Sequence, residues 1–228
     1  MIKAMILSAG FGKRLHPLTK KCPKPLLKIG KETLLSNTIN FLEQSGIKKI
    51  VINVHYLSEQ IITYLNKKKF DVDITIINEK EEILDTGGGI LNAIKYFEDS
   101  FLCINPDTIW NHLYIKELKK MKNEFVSSSK KCSILVVDKE KSFDKNLKGD
   151  FNIENNLINR KNTENLKYIY TGLQIIKPEV FLDINVKIFS INKIWDELIK
   201  KKELMGIKSN VNFLHVSTLE VYKKLNIK

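Results

Sequence analysis

Gly10, Gly12, Lys13, Arg14 and Lys24 are the first residues of this chain whose types and spacing could do chemistry. They follow the apolar run Ala4-Met5-Ile6-Leu7 and the small residues Ser8 and Ala9, and Lys24 stands between Pro23 and Pro25. Glycines have no Cβ, so their backbone N–H groups can approach a ligand closely, and such groups beside cations suit phosphate oxygens. Prolines on either side of Lys24 fix φ and stiffen the chain that carries the ammonium. The spacing predicts a strand-end loop that wraps a polyphosphate and aims one rigid lysine at it. A plain strand-to-helix turn with surface lysines is the structural alternative. The third glycine of a dinucleotide fingerprint is missing, since Leu15 stands in its place, and the Gly-Lys-Ser/Thr ending of a Walker loop is absent.

Other candidate residues lie further along. Thr86-Gly87-Gly88-Gly89 follows Leu84-Asp85 and opens a predicted helix. Glycines there would let a flat base lie on the backbone, with free N–H donors at the helix start; a tight turn is the alternative. Asn105-Pro106-Asp107-Thr108 follows a buried strand, and a carboxylate at a strand end is a hard oxygen ligand for Mg²⁺ shared with substrate phosphates. A lone aspartate there also serves as a turn residue. Asn53-Val54-His55-Tyr56 ends another strand, where Asn53 and His55 could meet a sugar phosphate. Gly149-Asp150-Phe151 and Thr171-Gly172-Leu173 break apolar context and, taken alone, read as bulges or turns.

The elements that must position these residues alternate through the first half. Ala4 to Leu7 reads as a strand and Glu32 to Ser45 as an amphipathic helix with Gly46 as its C-cap. A strand at Lys49 to Val54, a helix at Leu57 to Lys67, a strand at Val72 to Ile77, a helix at Gly88 to Phe97 and a strand at Phe101 to Ile104 follow. Such alternation implies right-handed βαβ units and a mostly parallel sheet, with ligands beyond the strand C-termini. The second half reads as strands at Ser133 to Asp138, Asp150 to Ile153 and Tyr168 to Ile176, then a helix at Ser190 to Lys201. A strand pair within Leu204 to Val216 and a helix from Thr218 to Leu225 close it. Trp195 fits the apolar stripe of its helix as a core residue. Ser127-Ser128-Ser129 reads as a loop, and no repeat or linker is evident, so residues 1–228 are expected to form one domain.

Composition narrows the partners. Hydrophobic residues make up 43% and charged residues 28%, a globular balance. The net charge of +12 could suggest nucleic acid, yet 36 of the 38 basic residues are lysine and they are scattered. Runs such as Lys67-Lys68-Lys69 and Lys200-Lys201-Lys202 fall at predicted helix ends, where cations suit the helix dipole. No nucleic-acid or membrane partner is expected, and the chain is expected to be cytoplasmic. Three cysteines, Cys22, Cys103 and Cys132, argue against a disulfide framework; the latter two lie in apolar runs as core residues.

The strand, Ala-Gly-x-Gly-x-Arg-Leu, Pro-Leu-Thr and Pro-Lys-Pro-Leu together resemble the signature of the sugar-1-phosphate nucleotidylyltransferases. Leu-Asp-Thr-Gly-Gly-Gly is similar to that family's segment bordering the nucleotide base, and Asn105-Pro106-Asp107 to its Asn-Gly-Asp, with Pro106 in the glycine's place. The resemblance covers nearly the whole chain and is strongest over residues 4–110. It implies an α/β, three-layer Rossmann-like nucleotide-diphospho-sugar transferase fold with a mostly parallel mixed sheet. Residues 1–110 would be the nucleotide-binding half and residues 111–228 the sugar-phosphate-binding half. The implied reaction joins an NTP, UTP first, to a sugar 1-phosphate, giving an NDP-sugar and pyrophosphate. N-acetylmuramate 1-phosphate, in peptidoglycan recycling, is the leading sugar implied, with mannose- and heptose-1-phosphate guanylyl transfer as neighbours.

The resemblance also implies roles. Leu7, Ala9, Gly10, Phe11, Gly12, Lys13, Arg14, Lys24, Thr86, Gly87, Gly88 and Asn105 would hold the nucleotide. Asn53, His55, Asp150 and Gly172 would contact the sugar phosphate. Arg14, Lys24 and Asp107 would be catalytic, with Mg²⁺, or Mn²⁺, on Asp107. In the segment Phe213 to Glu220, His215 stands where the family's second metal-ligand aspartate is expected and Ser217 where a glycine is. An imidazole offers nitrogen, which Mg²⁺ favours less than oxygen. Two other readings stand beside the enzyme. One is a catalytically weakened homologue that binds nucleotide sugars, motivated by Pro106, His215 and Ser217. The other is a metal-dependent glycosyltransferase, which would need a second aspartate two positions from Asp107, where Asn105 and Ile109 stand. The oligomeric state is left open by the sequence.

Overall fold

The apolar runs of the first half form the parallel side of one sheet. The computed structural model describes residues 2–227. Strand β1 (Ala4–Ser8) runs into the signature loop, whose short 3₁₀ turns at Lys13–Leu15, Leu18–Lys20 and Lys24–Leu26 lead to a small hairpin, β2 (Lys28–Ile29) and β3 (Glu32–Thr33). Helix α1 (Leu34–Gln44) therefore begins two residues after the position its periodicity predicts, because Glu32 and Thr33 pair with β2 and Thr33 then caps the helix through Ser36 N–H. Gly46, at φ +80°, ends it as expected.

Strand β4 (Lys49–Val54), helix α2 (Ser58–Lys67), strand β5 (Asp73–Asn78), helix α3 (Asp85–Ala93) and strand β6 (Phe101–Ile104) follow in the expected alternation. Helix α3 ends before Phe97 because its last turn tightens into a 3₁₀ turn at Ile94–Tyr96. Helix α4 (Leu113–Val126) occupies a stretch to which the sequence reading assigns no element. Its buried Tyr114, Leu118, Met121 and Phe125 nonetheless have helical spacing. Strands β7 (Cys132–Asp138), β8 (Asn152–Glu154), β9 (Leu157–Asn159) and β10 (Tyr168–Ile176) precede helix α5 (Asn192–Lys200), strand β11 (Leu204–Ser209) and helix α6 (Leu219–Asn226). The strand pair expected within Leu204 to Val216 is a single strand. Phe213 and His215 instead make isolated bridges, to Ser142 and Thr108.

The main sheet has the order β5-β4-β1-β6-β10-β7-β11-β9-β8. Its first four strands are parallel, and β10 is antiparallel to both β6 and β7. Alternate residues of β1 serve opposite faces, as the period of a strand requires: Ala4 and Ile6 pack with α1, α2 and α4, whereas Met5 packs with α3 and α5. The result is the three-layer, mostly parallel mixed arrangement expected. Among the described residues no helix is long and apolar enough to cross a membrane.

Candidate active site

Three parallel strands, β4, β1 and β6, end side by side at Val54, Ser8 and Ile104. Above those ends lies a cavity of about 450 Å³. Its walls include Leu7, Ala9, Gly10, Phe11, Gly12, Lys13, Arg14 and Lys24 from the first stretch, Asn53 from β4, Asp85 and Thr86 from the start of α3, and Asn105, Pro106 and Asp107 after β6. The polyphosphate loop read from the sequence forms one wall of a cavity, and residues from β4, the start of α3 and the turn after β6 line the others.

Gly12 adopts φ +64°, and a Cβ there would lie 3.1 Å from both Lys24 Cβ and Thr19 Cγ2. The glycine lets the loop close against the lysine that follows it. Its carbonyl accepts hydrogen bonds from Leu15 N–H and from the Thr19 hydroxyl, each at 2.9 Å, which fixes the turn carrying Lys13 and Arg14. Arg14 is exposed at the cavity wall and makes no ion pair among the described residues.

Lys24 Nζ donates to Asp107 Oδ2 at 2.6 Å, with both side chains mostly enclosed. The same oxygen lies 3.0 Å from His215 Nε2. Burial by itself would raise the Asp107 carboxyl, but the Lys24 ammonium and the His215 imidazole outweigh it and hold it well below the usual carboxylate range. His215 arrives through its bridge to Thr108, and Val216 N–H donates to the Asp107 carbonyl at 2.8 Å. The Phe213 ring stacks on the imidazole at 5.5 Å, and the Ser217 hydroxyl donates to the buried Asp144 at 2.5 Å, bracing the segment from both sides. Ser217, in the place of an expected glycine, therefore has a structural task.

The donor set can be tested for a divalent cation. Asp107 Oδ1 is buried and lacks a hydrogen-bond partner, so it is a spare hard ligand. No cluster of three or more His, Cys, Asp or Glu side chains that could hold a metal exists among the described residues. Mg²⁺ is commonly held by one or two carboxylates and completed by water and substrate phosphates, so a single carboxylate at a phosphate cavity fits it. His215 Nε2 is directed at Asp107 and its Nδ1 is buried without a partner, which makes the imidazole a companion of the carboxylate in this geometry.

Several predicted residues lie off the cavity wall. Gly87 and Gly88 donate their N–H groups to the Phe189 carbonyl, at 2.9 and 3.0 Å, so these helix-start donors are already used. A Cβ on Gly87 would lie 2.4 Å from the Phe189 ring, and one on Gly88 2.2 Å from the Lys187 carbonyl oxygen. The glycines make room for the segment before α5; Thr86 alone of Thr86, Gly87 and Gly88 reaches the cavity. His55 packs edge-on against the Phe11 ring at 5.8 Å, behind the loop. Gly172, at φ +92°, backs Asn105, whose N–H donates to the Gly172 carbonyl at 2.8 Å. Asp150 accepts Tyr170 N–H at 2.9 Å; burial raises its carboxyl, and the Tyr170 bond, Arg160 and His215 oppose the rise. Glu79, which sequence reading does not single out, binds Asn53 and Leu84 beneath the cavity. No motif marks it, since Asn53 comes from a neighbouring strand and Leu84 from the turn before α3.

Comparison with known proteins gives a consistent set of likenesses. The model of the nucleotidyl transferase family matches residues 3–145. The chain is similar to the N-acetylmuramate alpha-1-phosphate uridylyltransferase of Caulobacter vibrioides, 26% identical over 219 residues that cover 93% of this chain and 90% of that protein. It is similar to the D-glycero-alpha-D-manno-heptose 1-phosphate guanylyltransferase of Campylobacter jejuni, 27% identical over 226 residues and 97% of each chain. Among solved structures it matches HddC from Yersinia pseudotuberculosis complexed with GMP-PN, with a TM-score of 0.79 and 26% identity over 100% of this chain and 99% of that one.

Proposed function

The chain belongs to the nucleotidyl transferase family, and on that premise we propose that it transfers a uridylyl group from UTP to N-acetylmuramate 1-phosphate, releasing pyrophosphate. The observation that carries the reaction class is the meeting of Lys24 with Asp107 at 2.6 Å on the wall of the signature-loop cavity. The likeness to the Caulobacter vibrioides uridylyltransferase supports this base and sugar. A guanylyl transfer to a heptose 1-phosphate is the second reading, supported by the likeness to the Campylobacter jejuni enzyme and to HddC.

In this reading a sugar-phosphate oxygen attacks the α-phosphorus in line; the new P–O bond forms as the bond to the β-phosphate oxygen breaks, and pyrophosphate leaves. Backbone N–H groups of the Gly10 to Lys13 loop, with the exposed Arg14 guanidinium, hold the β- and γ-phosphates. Lys24 sits between the α-phosphate and the sugar phosphate and offsets their mutual repulsion. Its aliphatic stem rests on Gly12, so the charge is placed before substrate arrives. Asp107 Oδ1 would hold Mg²⁺, or Mn²⁺, whose chemistry is neutralisation of charge on the phosphate oxygens. Thr86 would border the base. Asn53 lines the cavity with its amide already bonded to Ser8 N–H and Glu79, so it shapes the wall instead of meeting the sugar phosphate, and Asp150, off the wall, would be the acceptor for sugar hydroxyls. Positioning and charge neutralisation supply the catalysis, with no covalent enzyme intermediate.

The test is a matrix of the four NTPs against N-acetylmuramate, mannose and heptose 1-phosphates, scored by pyrophosphate release under Mg²⁺ and under Mn²⁺. The proposal expects the largest kcat/KM for UTP with N-acetylmuramate 1-phosphate. A maximum at GTP with a heptose 1-phosphate selects the second reading. Nucleotide binding without turnover under either metal leaves a binding protein, and release of nucleoside diphosphate instead of pyrophosphate makes it a glycosyltransferase.

A further inference from the structure

Glu79 follows the last residue of β5 and does not line the cavity. Its N–H donates to the Val54 carbonyl at 2.9 Å, which extends the β4–β5 ladder by one residue. Its half-buried carboxylate accepts two hydrogen bonds. Asn53 Nδ2 donates to Oε1 at 2.6 Å, and Leu84 N–H donates to Oε2 at 3.0 Å. Asn53 in turn accepts Ser8 N–H on Oδ1 at 3.0 Å. Ser8 ends β1 and begins the phosphate loop, whereas Leu84 precedes Asp85 and Thr86 on another wall. One unbroken chain of hydrogen bonds, Ser8 to Asn53 to Glu79 to Leu84, therefore ties two walls of the cavity together. The backbone leaves room for it at Gly89, where a Cβ would lie 2.8 Å from Asn53 Nδ2 and 2.9 Å from Glu79 Oε1.

The chemistry of the junction demands a carboxylate. Both groups that reach Glu79 are N–H donors, and an ionised carboxylate accepts on both oxygens. A glutamine of the same shape accepts on one side only and turns an NH₂ donor toward the other N–H. A negative charge near a polyphosphate cavity opposes ligand binding by itself, so its presence is accounted for by this geometry.

We propose that Glu79 is a positioning residue for the nucleotide: through Asn53 and Leu84 it sets the separation between the phosphate loop and the segment bordering the base. The proposal rests on the reading of this cavity as the nucleotide site. Glu79→Gln is the direct test, because it keeps shape and removes one acceptor. Dissociation constants for UTP and GTP, each with Mg²⁺, are measured by calorimetry, and KM for each substrate by pyrophosphate release. The variant should bind both nucleotides about tenfold more weakly, the loss of one hydrogen bond to a charged group. Its kcat and its KM for the sugar 1-phosphate should stay within about twofold of wild type, a split that general destabilisation would not produce. Gly89→Ala, which pushes a methyl group into the same junction without changing charge, should weaken nucleotide binding in the same selective way. A folded Glu79→Gln protein with wild-type nucleotide affinity overturns the proposal, as does an equal weakening toward both substrates. A changed preference between UTP and GTP also overturns it, since that would make Glu79 a reader of the base. A wild-type protein that binds neither nucleotide overturns the functional reading instead.

Discussion

Asp107 receives two partners on one oxygen and keeps the other spare, and that division states what each neighbour does. The Lys24 ammonium and the His215 imidazole outweigh burial and keep the carboxyl ionised, so an anion stands ready beside a phosphate cavity. Lys24→Ala removes the ammonium at the point where two phosphates would be brought together. We expect kcat/KM to fall by about a hundredfold or more, with the fold intact by circular dichroism. Turnover close to wild type in a pyrophosphate-release assay would take Lys24 out of the chemistry. Asp150 gives the opposite sign. Burial raises its carboxyl, against the Tyr170 N–H, Arg160 and His215. A raised acid is protonated more readily in the folded state than in the unfolded one, so ionisation costs stability as pH rises through the folded value. Asp150→Asn, whose amide oxygen can still accept Tyr170 N–H, should raise Tm at pH 7 only slightly, because Asp150 is an exposed residue and solvent screens its charge. The gain should vanish as pH falls below the ordinary value of 3.8, while KM for the sugar 1-phosphate rises. Thermal scans from acid to neutral pH decide it; a gain that persists in acid would mean that the charge is not its source. At this scale the sequence was readable where special backbone or charge is concentrated, as at Gly12 and Lys24. Glu79 was not, because one acid among Glu79, Glu81 and Glu82 looks like any solvated turn until Asn53 and Leu84 are folded against it.

Helix α3 shows an element whose sequence signal was right and whose cause was different. The glycines do open the helix, but the bulky neighbour they admit is the Lys187 to Phe189 backbone and the Phe189 ring. Gly88→Ala would place Cβ 2.2 Å from a backbone carbonyl, which cannot rotate away. The expected loss is about 1–3 kcal/mol, seen in thermal scans as a Tm lower by roughly 2–10 °C, despite alanine's better helix propensity. Gly10→Ala is the contrast. A Cβ at Gly10 meets nothing within 4 Å, so stability should hold while the methyl group intrudes on the nucleotide cavity and raises nucleotide KM several-fold. If the two variants behaved alike in thermal scans, crowding by the Lys187 carbonyl would not be the reason for the glycine. Other elements were legible in proportion to their local pattern. Strands β1, β4 and β6 are apolar runs that could be placed almost to the residue, whereas the stretch around Phe213 and His215 looks like a strand by composition and makes only single bridges. The stripe of α4 was present in the sequence but interleaved with Lys116, Glu117, Lys119, Lys120 and Lys122, so its apolar share is low.

Across the whole molecule, the sheet brings together residues that are far apart in sequence, and this is the part that no local pattern encodes. Strand β10 inserts antiparallel between β6 and β7, which sets Gly172 behind Asn105 and turns the chain's second half toward the cavity. Helix α6 and the segment before it then return to the first stretch: Val216, Val221 and Leu225 pack with Leu15, Leu27 and Leu34. Leu225→Ala should cost about 2–3 kcal/mol in urea unfolding, at the lower end for a buried leucine because the cluster is small. It should also raise nucleotide KM, since Leu15 lines the cavity and loses its support. An unchanged KM in the destabilised variant would show that α6 serves stability alone. The pairing of Asp107 with His215 has a consequence for how the protein comes into being. Roughly 190 residues separate Lys24 from His215, so at about 5–20 residues per second a ribosome delivers the imidazole some 10–40 s after the lysine. During that interval the nascent chain carries the glycine-rich loop, and later the aspartate, without the segment that braces them, so the Lys24–Asp107–His215 junction is complete only once residues far downstream of the loop have been made.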